Sequence, residues 1–208
     1  MEWIYSLMQK QKKERKILKE CAAEIEVAND NLVVRLLKIG ILAYSFLVII
    51  SCFVSSYNSI FLSNGITLSM LTLYLVIFKR KRPKLPSAYL MYLGYASVVA
   101  STIYASAFCA PHYVNVGMLA ILFEISILIL DESRRVNFIV ILYAIIYLVC
   151  IFPFKDTFIM MDELVNIVSF SIISIFMGNY LRKTRLENLE MKRQAVMREN
   201  VDPLTGLY

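Results

Sequence analysis

Long apolar runs alternate with short charged ones along most of this chain. Six runs, at 39–57, 60–78, 88–108, 114–130, 136–154 and 164–181, are each 17 to 21 residues long. A helix needs about 20 residues to cross about 30 Å of hydrocarbon. Backbone in lipid must satisfy its own hydrogen bonds, which leaves the helix as the spanning element for such runs. The pattern predicts an all-α polytopic membrane protein, with residues 39–181 forming a six-transmembrane-helix bundle joined by short connections.

The flanking segments have different patterns. In residues 1–38, Trp3, Ile4, Leu7 and Met8 make one apolar face, and Ile17, Leu18, Cys21, Ala22 and Ile25 make another. The lysine-rich stretch 10–16 lies between them. That spacing predicts an N-terminal amphipathic helix on the inner leaflet, with packing against a cytoplasmic coil as the alternative. Residues 182–201 are charged and free of Gly and Pro before Pro203, so the sixth span is expected to run on as a helix. Leu186, Leu189, Val196 and Asn200 fall at a/d positions, with Arg193 as a polar intruder. They predict a short parallel coiled coil, hence a homodimer, that carries a signal out of the bundle. Pro203 ends this helix, and Asp202 is placed to cap the next element.

Composition supports the membrane reading. The chain is 59% hydrophobic over 208 residues, against about 45–50% for soluble domains. The net charge of +6 is not read as a nucleic-acid footprint, because the basic residues adjoin apolar spans. With both termini inside, eight Lys/Arg lie before residue 39, five in 79–84, two at Arg134 and Arg135, and six after Leu181. Only Lys155 is then outside, beside Asp156, Asp162 and Glu163. The positive-inside rule therefore places both termini in the cytoplasm, beside anionic lipid. Cys21, Cys52, Cys109 and Cys150 form no CxxC pair, and no disulfide or zinc framework is predicted.

Residues 202–208 read Asp-Pro-Leu-Thr-Gly-Leu-Tyr. This resembles the opening of the GGDEF domain of diguanylate cyclases, Asp-x-Leu-Thr-Gly-Leu-x-Asn-Arg, which comes directly after a helical coil. Asp202, Leu204, Thr205, Gly206 and Leu207 match in register. The resemblance implies a membrane sensor region of a bacterial protein of the inner membrane, whose output domain makes cyclic di-GMP from two GTP. Magnesium and GTP would belong to that further domain, and no cofactor is expected in the membrane region itself. Asp202, Pro203, Leu204, Thr205 and Gly206 would transmit the signal rather than catalyse.

Candidate sensing residues come from the spans. Glu124 stands near the middle of the fourth, where a carboxylate costs about 2.5–3.5 kcal/mol on insertion scales, so it is expected to face the bundle interior, be paired or be protonated, as a ligand, proton or switch site. A structural hydrogen bond to a neighbouring helix is the plainer alternative. Tyr104 and Tyr147 are further candidates which, with Tyr44, Tyr74, Tyr92, Tyr95 and Tyr143, offer aromatic walls with polar tips. His112 is the sole histidine. It lies toward the same end as Cys52, Cys109 and Cys150, without the spacing of a metal motif. Gly94, Ser97, Ser101 and Ala105 form a small-residue stripe suited to close helix packing. The outer connections are too short for a separate binding domain, so a stimulus is expected to be a small apolar or lipid-like molecule, or the state of the membrane. A transporter or channel, and a sensor for another output such as a kinase, are the alternatives.

Overall fold

A computed structural model describes residues 2–53, 58–80 and 85–199. The side chains of Trp3, Ile4, Leu7 and Met8, and all of Asn200 to Tyr208, lie outside the described set. Among the described residues the chain is helical with no strand. Seven α-helices among the described residues run in order: α1 (Glu2–Glu20), α2 (Ala22–Phe53), α3 (Asn58–Arg80), α4 (Ser87–Tyr104), α5 (Val116–Leu128), α6 (Ser133–Ile151) and α7 (Thr157–Glu199). A π turn, Ala105–Cys109, extends α4, and a 3-10 turn, Phe152–Phe154, extends α6.

Five of these helices are long and apolar enough to cross a membrane. Their outer faces carry Leu42, Phe46, Leu62, Leu73, Phe138, Val149, Val165 and Phe176, each more than half exposed. A soluble protein would leave few such contiguous apolar faces uncovered; a lipid-facing surface requires them. The chain is accordingly a multi-pass membrane protein.

The fourth apolar run differs from its expected form. In place of a 17-residue span, α5 is 13 residues long, about 20 Å of helix. The physical reason lies at its ends. Asn115 caps the N-terminus through a 2.8 Å bond from Gly117 N to its Oδ1, and Ile129 turns to extended backbone. One face of α5 is deeply buried, with Met118, Leu122 and Ile125 at 0% exposure, so neighbouring helices hold it in place. Packed among α4, α6 and α7, it forms the centre of the main core with Val136, Val140, Tyr147, Ile151 and Ile167.

The N-terminal region also departs from expectation. The apolar run from residue 39 is the C-terminal part of a longer helix, because α2 runs unbroken from Ala22. Every fourth residue from Ile17 to Leu37 is buried: Ile17, Cys21, Ile25, Asn29, Val33 and Leu37. This i+4 ridge packs on the protein. Ile17, Cys21 and Ile25, the face expected on the leaflet, close on Leu130 and Leu186 in a second, smaller core. Polar contacts reinforce it: Arg15 donates to Glu132 at 2.7 Å, and Glu14 accepts from Ser133 N and Oγ at 2.8 and 2.7 Å. As expected, the helix of the sixth apolar run continues beyond it: α7 is 43 residues long and reaches Glu199.

Candidate functional site

The strongest polar constellation surrounds Glu163, in the second turn of α7. Glu163 is 1% exposed. Its carboxylate accepts from Tyr147 Oη of α6 and, at 3.1 Å, from the backbone N–H of Asn115. Lys155 Nζ lies 3.5 Å away, with its side chain fully buried, and also donates to Tyr113 O at 2.6 Å. Tyr147 Oη in turn bonds Ser106 Oγ at 2.9 Å. Ser106 sits in the π turn, a distortion frequent at functional sites. Four elements thus meet on one buried ion pair.

The same carboxylate faces the N-terminus of α5, where the helix dipole favours negative charge. At the other end of α5, Arg182 Nη1 donates to Ser126 O at 3.1 Å, and Arg185 Nη1 to Ile127 O at 2.9 Å. Those carbonyls have no partner within the helix. Helix α7 therefore grips the short α5 at both poles with matched charge. Between the grips the helices touch: a Cβ added at Gly178 would lie 2.5 Å from Ser126 O. Glu163 and Arg182 are 19 residues apart, about 29 Å along the helix, close to the hydrocarbon thickness of a bilayer.

Beyond Arg185, α7 meets the N-terminal helix. Leu186 is 2% exposed in the small core, Leu189 packs against it, and Arg193 donates to Glu20 O. Three of the expected coil positions are thus occupied by α1 of the same chain. Val196 is 56% exposed. Asn200, Asp202, Pro203, Leu204, Thr205 and Gly206 lie outside the described residues.

The sequence candidates fall in different places. Tyr147 belongs to the Glu163 cluster. Glu124 does not face the buried interior: it is exposed on a cleft of about 260 Å³ bounded by α2, α3, α4 and α5. There its carboxylate accepts from Tyr95 Oη at 3.3 Å. Tyr104 is 40% exposed and packs on Phe108 at 5.3 Å between centroids. His112 Nδ1 is 3.3 Å from Asp156 Oδ2 on the surface, next in the chain to Tyr113 and Lys155 of the cluster. None of the four cysteines is bridged, and no group of three or more metal-ligating residues occurs among the described residues. The small-residue stripe of α4 turns toward α3, with Ser101 Oγ 3.0 Å from Ser63 Oγ and Gly94 against Tyr74.

No family model, curated protein or solved structure matches the chain. The site's own geometry therefore carries the functional reading. Sequence reasoning missed Lys155 and Glu163 because it counted them as solvated charges of an outer connection. Arg182 and Arg185 were read as the start of the charged tail, whereas one is fully buried and both cap α5. Their i, i+3 spacing at the apolar boundary was the available signal.

Proposed function

We propose that this chain is a membrane-embedded sensory domain that drives a C-terminal diguanylate cyclase through α7. The observation that carries the reading is the continuity of α7. One uninterrupted helix bears Glu163 in the buried ion pair, Gly178 and Arg182 against α5, and Leu186 under α1, then runs to Glu199, just ahead of the Asp202–Leu207 motif. A stimulus that shifts α5 or α6 must move a rod that already touches the output side. The bundle acts as six spans with both termini cytoplasmic, α5 being a short one packed on one face against α4, α6 and α7.

In this reading α1 sets the resting state. Leu186 and Leu189 cannot pack on Ile17 and Cys21 and also pair with a second α7. The dimeric coil therefore lengthens toward the membrane only when α1 is released, and the two cyclase domains reorient. The test is to fuse the chain to an active cyclase domain and measure cyclic di-GMP formation in membranes. Ile17→Asp, which places a charge in the small core, should change the output several-fold while leaving the bundle folded. Output equal to that of the parent fusion would overturn the role of α1.

A further inference from the structure

We propose that the Glu124 cleft binds an amphiphile with an ammonium head. The cleft of about 260 Å³ has walls that are almost wholly apolar, including Leu36, Leu37, Met91 and Ile121. Room is left by three small residues that line it, Gly40, Ala43 and Gly94.

Chemistry selects the head group. Among the lining residues Glu124 is the only one with a carboxylate or a cation. Its one hydrogen bond comes from Tyr95, at 3.3 Å, which leaves most of its acceptor capacity unused. Tyr74 Oη, also on the cleft, is committed to Leu90 O at 2.6 Å. An ammonium beside Glu124 would stabilise its carboxylate in an apolar cleft, which neither a neutral nor an acidic head group can do. Tyr44 and Tyr95 supply the aromatic faces that attract an ammonium. Glu124 lies four residues, about 6 Å, from the end of α5 that Arg182 caps. A head at that depth could be that of a free alkylamine or the amine head group of a lipid. The site rests on the sensory reading as its input, but its chemistry can be tested without any output.

The experiment uses the whole chain in phosphatidylcholine nanodiscs with radiolabelled dodecylamine, competed by unlabelled dodecylamine, dodecanol and dodecanoate. One saturable site per chain is expected, with dodecanol and dodecanoate at least tenfold weaker competitors. Glu124→Gln should weaken the amine at least tenfold, and Ala43→Phe should abolish the site while leaving Glu124 in place. Both variants should keep the parental size-exclusion profile and melting temperature. Dodecanol competing as well as the amine, or amine affinity unchanged in folded Glu124→Gln, would overturn the proposal. If phosphatidylethanolamine in the nanodisc displaces the probe, the occupant is a lipid head group. If it does not, the occupant is a free amphiphile. Both results uphold the ammonium chemistry. Loss of binding together with an intact response of the cyclase fusion to Ile17→Asp would sink this site and leave the sensory reading standing.

Discussion

Glu163→Gln is the most informative single substitution in the bundle. The amide keeps the shape of the carboxylate and can still accept from Tyr147, but it no longer neutralises Lys155. That ammonium has a side chain at 0% exposure and would be left with Tyr113 O as its partner. Breaking a buried pair from one side costs about 3–5 kcal/mol. For a chain of 208 residues, each kcal/mol moves the melting point by about 2–4 °C, so a fall of about 6–20 °C is expected. Lys155→Met with Glu163→Gln removes both charges and should recover most of that loss, because a neutral apolar replacement of a buried pair is often close to isoenergetic. The assay is size-exclusion of detergent-solubilised protein after graded heating, run on parent, both single variants and the double. A Glu163→Gln melt within about 1 °C of the parent, or a double variant less stable than either single, would refute the buried-pair argument; the cycle isolates the coupling directly.

Four further predictions use the same structure. Gly178→Ala should cost about 1–3 kcal/mol, since its methyl meets backbone of Ser126 that cannot move alone. Gly65→Ala, with open space at its Cβ, should be neutral or stabilising by up to about 1 kcal/mol in the same melts. Arg182→Met should cost about 1–3 kcal/mol by stripping the donor from Ser126 O. Lysine should rescue it poorly, because one ammonium cannot serve Ser126 O and Asn179 Oδ1 as the guanidinium does. At Cys21, burial first and Glu24 second push the thiol above its ordinary value. The thiolate fraction at pH 7.5 is then low, and maleimide labelling should be slow, with its pH profile displaced to higher pH. Leu186→Asp should speed that labelling by opening the small core, and unchanged rates would count against the α1 contact.

How much of this was legible in the sequence depends on which force wrote each feature. The long spans α2, α3, α4, α6 and α7 arise from apolar length alone, and length is what hydrocarbon selects. Helix α5 was over-read because Ile129 and Leu130 are as apolar as the helix before them. Their extended backbone is set by Asn29, which brackets Leu130 with bonds of 2.9 and 3.3 Å from 101 residues away. The Ile17–Cys21–Ile25 stripe was visible, but an apolar face looks the same whether lipid or protein covers it. Glu124 stood out as a lone charge in an apolar run. The Lys155–Glu163 pair did not, because each residue sits among charges at a helix boundary. Only tertiary folding brings Tyr147, Ser106 and Asn115 around them.

The central claim is that α7 delivers the state of the bundle as a rigid helix. It is tested by inserting one to four alanines between Gln194 and Ala195 in the cyclase fusion. This leaves the contacts of α1 with Leu186, Leu189 and Arg193 in place and rotates everything C-terminal to the insertion by about 100° per residue. Cyclic di-GMP output is predicted to depend on the number inserted, and to return toward the parental level at four residues, about one full turn. A flat response across all four insertions would contradict the account.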